Sequence, residues 1–209
     1  MAKRVSNPPR PLIPQNRTLE GLRHEAQDCK ACDLWRTGTQ TVFGAGATRP
    51  KIMFVGEQPG NQEDLEGKPF VGPAGKLLDS ALEEAGIDRS KTYVTNAVKH
   101  FKWEPRGKRR IHKKPNAVET AACRPWLDAE IAALKPQVIV CLGATAAQAL
   151  LGRGFRVTQR RGELMKSSLA PFILATVHPS SILRAPDDET RQSEMQRFIE
   201  DLKQLAKFV

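Results

Sequence analysis

The chain has 209 residues, 40% of them apolar, which is enough for one domain with extensions and a sizeable core. Its net charge of +10 and its pI of about 9.7 favour a polyanionic partner, either nucleic acid or an anionic membrane surface. A basic pI can also do no more than keep a protein soluble. No apolar run in the sequence is long enough to cross a bilayer, so we expect no membrane partner.

The first 17 residues, MAKRVSNPPRPLIPQNR, are basic and rich in proline, and they lack the apolar segment of a signal peptide. We interpret them as a flexible arm in front of a single domain over residues 18–209. A protein of this kind is expected in the cytoplasm, where disulfides are disfavoured.

Short apolar runs rich in β-branched residues alternate with segments of helical spacing along the domain. The strands are predicted at residues 51–56, 92–98, 137–143 and 172–178. The helices are predicted at residues 18–27, 75–86, 117–134, 144–152 and 188–208. Because strands and helices alternate, we expect an α/β fold with a mainly parallel, four-stranded central sheet.

Polar residues follow each predicted strand, where ligands of α/β sheets usually bind. The four ends read GEQPG, TNAVKHF, LGATA and VHPSS. Glu57 comes directly after a buried strand, where a carboxylate is costly without a task or a partner. Phe70, between turn-forming residues, is either a platform for a base or a plug of the core. His178 is either a satisfied structural histidine or a functional one.

Within the segment RGKRRIHKKP, residues 106–115, five cations at positions 108–114 surround His112. Such a loop is a common way to hold a phosphate backbone. The cations are Lys108, Arg109, Arg110, Lys113 and Lys114. The charge pattern alone predicts that His112 is one more phosphate contact in this loop.

The four cysteines are Cys29, Cys32, Cys123 and Cys141. In a reducing compartment, a Cys-x-x-Cys pair with two further cysteines favours a metal or cluster site over two disulfides. Four thiolates suit either zinc or an iron–sulfur cluster, and inert buried thiols remain the alternative.

Several of these motifs occur in an order that resembles the iron–sulfur, family 4 uracil-DNA glycosylases. They are GEQPG, GKPFVGPAGKLLD, YVTNAVKHF, the Cys-x-x-Cys with two later cysteines, and HPSSILR. The inserted GKRRIH resembles the UdgX subfamily, which crosslinks itself to the DNA that it attacks. The resemblance covers residues 20–205. It implies a three-layer α/β/α fold and excision of uracil from DNA, with single strands favoured.

The resemblance also implies roles for individual residues. Asn96 would read uracil, since an amide presents a donor and an acceptor together, and Phe70 would stack on the flipped ring. His178 would donate a hydrogen bond to uracil O2. Gln58 would line the pocket near the base or sugar. The residue that excludes thymine is not assigned.

Glu57 would stabilise the sugar cation, and His112 would attack C1′ in place of water, which gives a covalent histidine–sugar bond. The remaining implied contacts with DNA are the five loop cations, Ser180 and Arg184.

The resemblance favours a [4Fe–4S] cluster held by Cys29, Cys32, Cys123 and Cys141, and a monomer that acts on uracil-containing DNA. The alternatives are a turnover glycosylase in which His112 only contacts phosphate, and a nucleic-acid-binding module without catalysis. A zinc deaminase is disfavoured, because the His-x-Glu and Pro-Cys-x-x-Cys signature is lacking.

Overall fold

The computed structural model describes residue 13 and residues 18–209. The predicted arm over residues 1–17 lies outside these residues, apart from Ile13, which packs against the buried cluster that contains Leu22 and Cys123. Within the described residues, no helix is both long and apolar enough to cross a membrane.

The described residues form eight strands and eight α-helices. The strands are β1 (Ala45–Gly46), β2 (Ile52–Gly56), β3 (Tyr93–Asn96), β4 (Trp103–Arg106), β5 (Arg109–His112), β6 (Val138–Leu142), β7 (Leu164–Lys166) and β8 (Phe172–Thr176). The helices are α1 (Leu19–Ala26), α2 (Asn61–Glu66), α3 (Pro73–Glu84), α4 (Ala117–Leu134), α5 (Ala144–Leu151), α6 (Val157–Arg160), α7 (Pro179–Leu183) and α8 (Asp188–Lys203).

The central sheet has six strands in the order β1-β3-β2-β6-β8-β7. The four inner strands are the four predicted ones, and they are parallel to one another. The edge strands β1 and β7 run antiparallel and have two and three residues, too few to show a periodic pattern. The predicted α/β class is therefore confirmed, with two short edge strands in addition.

Helices cover both faces of this sheet, as the continuous burial of its inner strands requires. One face of β2 packs with α3, α7 and α8, through residues such as Ile52 and Phe54. The opposite face packs with α4 and α5, through Met53 and Val55. Because the four inner strands are parallel, their carboxyl ends lie together at one edge of the sheet.

The basic segment 106–115 was expected to be a loop, but it forms half of a β-hairpin outside the main sheet. Strands β4 and β5 pair antiparallel, with Arg106 opposite Arg109 and Trp103 opposite His112. The two-residue turn contains Gly107 at φ +59°, a conformation that glycine adopts without steric cost. This hairpin places His112 at the end of a strand that is held in register.

Candidate active site

A cavity of about 740 Å³ lies at the carboxyl ends of the inner strands. It brings together side chains from four strand ends and from the hairpin. Those with chemically useful groups are Glu57, Phe70, Asn96, His112, Thr145 and His178. The predicted site residues at the strand ends therefore do converge on one cavity.

Asn96 ends β3 and is buried. Its side-chain amide has no hydrogen-bond partner among the described residues, although it borders the cavity. Gly56 on the neighbouring strand makes room for it, because a Cβ there would lie 2.4 Å from Asn96 Oδ1 and 2.8 Å from Phe70 Cζ. An unoccupied amide in an apolar pocket is a suitable reader for a planar polar ring.

Phe70 both belongs to the apolar core and borders the cavity, so the two interpretations of this residue are compatible. Its backbone has φ +58°, which is rare for a residue with a side chain. Gly75 permits this turn, since a Cβ at that position would lie 1.8 Å from the Phe70 carbonyl oxygen. The Phe70 ring lies nearly parallel to the His178 ring, with the centroids 6.1 Å apart.

His178 precedes α7 and caps it. Its Nδ1 accepts a hydrogen bond from the Ser180 backbone N–H at 3.1 Å, and the Ser180 hydroxyl lies 2.8 Å from the same nitrogen. Burial lowers the pKa of His178 to about 4, and repulsion from Arg184 and His112 acts in the same direction. The ring is therefore neutral at pH 7, and its proton is on Nε2, where it can be donated.

Glu57 directly follows β2, and its two carboxylate oxygens have different partners. Oε2 accepts a hydrogen bond from the Thr145 hydroxyl at the start of α5. Oε1 lies 3.3 Å from Nε2 of His112. The sequence analysis did not single out Thr145, although its position directly after a strand end in LGATA was a usable signal.

Gln58 borders the cavity, but its amide is bonded to the hairpin. Gln58 Nε2 donates to the carbonyls of Lys102 at 3.1 Å and Lys113 at 3.3 Å, and Oε1 accepts from the Lys102 N–H at 3.2 Å. These two residues flank β4 and β5. Gln58 therefore clamps the base of the hairpin beside His112, while its predicted contact with the base or sugar stays a prediction.

Arg110 was expected to hold a phosphate, but its guanidinium is already bonded within the protein. Its Nη1 donates to Asp64 at 2.7 Å and its Nε donates to Asn61 at 2.7 Å, both on α2. Its guanidinium also lies 5.5 Å from the ring centroids of Phe101 and Trp103. A buried carboxylate needs such a partner, so Arg110 fastens the hairpin to α2 instead of facing solvent.

The other predicted DNA contacts are distributed around the cavity. Lys108 and Arg109 are exposed at the hairpin tip, and Lys114, Ser180 and Arg184 border the cavity. Lys113 pairs with Glu104 at 2.7 Å, but both side chains are more than half exposed. An exposed pair of this kind is weak, so Lys113 can still turn to a phosphate.

Three of the four cysteines lie together between α1 and α4. Cys29 and Cys32 pack against the small cluster that contains the buried Cys123. Burial, with a smaller contribution from the two other thiols, raises the pKa of Cys123 to about 12 despite the neighbouring Lys99. With these side-chain positions, no group of three or more His, Cys, Asp or Glu residues in the described part of the chain has metal-binding geometry.

The structure does not bring Cys141, the predicted fourth ligand, to the other three cysteines. Cys141 lies in the middle of β6, between Val55 and Ala175 of the adjacent strands, and it belongs to a different core cluster. Its thiol is fully buried in the layer between the sheet and helices α4 and α5. The sequence analysis missed His100, a buried imidazole that borders the same small cavity as Cys29.

Comparison with known proteins agrees with this geometry. Residues 43–203 match the model of the uracil DNA glycosylase superfamily. The chain belongs to that superfamily. Within it, the chain is 37% identical over 193 residues to a type-4 uracil-DNA glycosylase of Thermotoga maritima, covering 91% of this chain and 94% of that protein.

Two further type-4 uracil-DNA glycosylases are similar. The protein of Sulfurisphaera tokodaii is 38% identical over 81% of this chain and 78% of its own length. The protein of Archaeoglobus fulgidus is 36% identical over 81% of this chain and 85% of its own length. The matched region includes all four parallel strands and the hairpin, so the cavity lies wholly within the part that defines the superfamily.

Proposed function

We propose that this member of the superfamily excises uracil from DNA, preferably from single strands, and that His112 captures the resulting sugar. The observation that carries the proposal is the convergence of an unpaired amide, a neutral imidazole and a carboxylate in one cavity. A module that only binds nucleic acid would not need these three groups together. The type-4 relatives support the same reaction by name.

Uracil enters such a pocket by leaving the base stack. Asn96 then pairs with uracil O4 and N3–H, whereas cytosine presents the opposite pattern of donor and acceptor. Phe70 supplies an apolar surface beside the ring. Because the Asn96 amide has no competing partner among the described residues, it loses no internal hydrogen bond when it binds the base.

Cleavage of the bond between C1′ and N1 leaves the electron pair on uracil and positive charge on the sugar. Neutral His178 donates its Nε2–H to uracil O2, where negative charge develops. The Glu57 carboxylate faces the cation and is held in place by Thr145. The negative and positive charges of the transition state are therefore stabilised by groups that follow two different strands, His178 after β8 and Glu57 after β2.

His112 forms the new bond in the covalent step. One imidazole nitrogen donates its lone pair to C1′ as uracil departs, and the second nitrogen keeps its proton. The product is a histidine–sugar bond with the positive charge on the ring, which the Glu57 carboxylate stabilises. Two observations support this step: the 3.3 Å separation of Nε2 and Oε1, and the resemblance of GKRRIH to the self-crosslinking UdgX subfamily.

A turnover glycosylase is the second candidate. Half of the His112 side chain is exposed, so a phosphate contact is sterically open to it. In that enzyme a water molecule beside Glu57 would attack C1′. The two candidates differ in the product: one gives an abasic site and free protein, the other gives a protein–DNA adduct.

For the cofactor we propose an iron–sulfur cluster held by Cys29, Cys32 and Cys123, with His100 as the fourth ligand in place of Cys141. His100 supports this because it borders one cavity with Cys29 and directly follows Lys99, whose N–H donates to Cys123 Sγ at 3.2 Å. The donor set of three thiols and one imidazole suits such a group. It would join the loop that follows α1 to helix α4 and to the segment that follows β3.

We further propose that residues 18–209 act as a single domain, since they build one cavity on one central sheet, and that the protein is a monomer in the cytoplasm. The deciding experiment uses a single-stranded oligonucleotide with one uracil and a matched strand with thymine. We expect release of uracil and a heat- and detergent-stable species on a denaturing gel, only with uracil. Uracil release without that species favours the turnover enzyme. The absence of both uracil release and the stable species would exclude both candidates.

A further inference from the structure

A buried ion pair lies directly behind Asn96. Lys99 and Glu130 are 1% and 0% exposed, and the lysine Nζ is bonded to the carboxylate. Neither side chain borders the cavity, so the proposed chemistry does not use them. Burying two charges costs free energy, and a protein with two apolar residues in their place would often be equally stable. We therefore expect the pair to have a role other than stability.

The contacts of Lys99 converge on the base-reading end of β3. Its Nζ donates to the backbone carbonyl of Asn96 at 2.9 Å and to the Thr95 hydroxyl at 2.6 Å. Its own backbone N–H donates to Cys123 Sγ. The segment from Asn96 to Lys99 is therefore held at one end by an ammonium group and at the other by α4.

Glu130 on α4 is the fixed point for this arrangement. Its carboxylate accepts from the Tyr93 hydroxyl at 2.8 Å, from the Thr95 hydroxyl at 3.0 Å and from the Gly44 N–H at 3.1 Å. With Lys99, four donors surround it. Four donors restrict the carboxylate to one position, and its hydrogen bonds with Tyr93 and Thr95 fix β3 relative to α4.

We infer that Lys99 and Glu130 are positioning residues, which hold the backbone of Asn96 so that its free amide faces uracil. The inference rests on the proposed function, in which Asn96 reads the base. The amide itself has no partner to hold it, so its orientation depends on the backbone to which it is attached. A small rotation of that backbone would misalign both hydrogen bonds to uracil at once.

The test measures how strongly free uracil inhibits excision from a single-stranded uracil oligonucleotide under single-turnover conditions. The main variant is Lys99→Met/Glu130→Gln, which removes both charges at nearly constant volume and leaves neither charge buried alone. We expect its inhibition constant for uracil to rise about tenfold, the equivalent of roughly 1.4 kcal/mol. Glu130→Asp keeps both charges but shortens the anchor, and we expect a smaller rise in the same direction.

Leu202→Ala is the matched control, because Leu202 lies on the buried face of α8 and does not border the cavity. It lowers stability through a core cavity and should leave the uracil inhibition constant unchanged. Asn96→Ala distinguishes failure of the proposed function from failure of the positioning role alone. If Asn96→Ala leaves inhibition unchanged, Asn96 does not read uracil and the proposed function fails.

If Asn96→Ala weakens inhibition while both pair variants keep the wild-type constant, the positioning role alone is overturned. A purely structural pair would lower the melting temperature of both variants, as Leu202→Ala does, without changing the affinity for uracil.

Discussion

Nε2 of His112 lies 3.3 Å from Oε1 of Glu57, although the two residues belong to separate elements, a hairpin strand and the end of β2. Because Thr145 holds the other oxygen of Glu57, the carboxylate is oriented before DNA arrives. The histidine is oriented by its register opposite Trp103. The pair is thus preorganised, as the proposed capture of a short-lived sugar cation would require.

The clamp from Gln58 to the hairpin predicts how His112 is held. Gln58→Leu removes three hydrogen bonds at nearly the same size, and a two-stranded hairpin alone is only marginally stable. We expect faster hydrogen exchange in peptides covering residues 101–115 and adduct formation about tenfold slower, which corresponds to roughly 1.4 kcal/mol. Exchange and adduct rate equal to those of the wild type would show that Gln58 does not hold the hairpin.

The hairpin tip predicts the salt dependence of DNA binding. Lys108→Gln/Arg109→Gln should reduce the magnitude of the salt slope on single-stranded DNA by about 1.4, since each lost phosphate contact accounts for roughly 0.7. The control is Lys203→Gln/Lys207→Gln, which removes the same charge from exposed positions that do not border the cavity. Equal slopes for the two double variants would show that only net charge matters.

The placement of the cysteines predicts which of them affect colour. Thiolate-ligated iron clusters absorb broadly near roughly 400 nm. Cys123→Ser and His100→Ala should reduce this absorbance and the iron content, whereas Cys141→Ser should keep both, because Cys141 lies inside the sheet. Measurement of iron, zinc and the visible spectrum decides this. Colourless wild-type protein with one zinc per chain would contradict the cluster.

The low pKa of His178 predicts a pH dependence of stability. Between pH 6.5 and about 4 the unfolded chain binds a proton at this residue and the folded chain does not, so stability falls as the pH is lowered through that window. The loss is at most about 3.4 kcal/mol, since a difference of one in pKa is worth about 1.36 kcal/mol. Urea titrations at pH 7 and 4.5 should therefore show a smaller acid loss for His178→Gln than for wild type. Equal losses would mean that His178 is not held neutral.

The sequence predicted what depends on local pattern and missed what depends on three-dimensional contacts. The apolar runs predicted the four inner strands, and the polar groups after them predicted the cavity. The cations of the basic segment look alike in sequence, so nothing distinguished Arg110, which is bonded to Asp64, from Arg109, which is exposed. Likewise, cysteine spacing could not reveal that Cys141 faces the core while His100 lies beside Cys29.

The most direct test of the covalent mechanism is the product made by His112→Gly on a single-stranded uracil oligonucleotide. Wild type should give one heat-stable adduct per protein, and peptide mapping should place the DNA on His112. His112→Gly should give no adduct, because no nitrogen remains to attack C1′ and a water molecule can take its place beside Glu57. It should instead release uracil repeatedly and leave abasic sites. An intact adduct in His112→Gly, mapped to another residue, would contradict the mechanism.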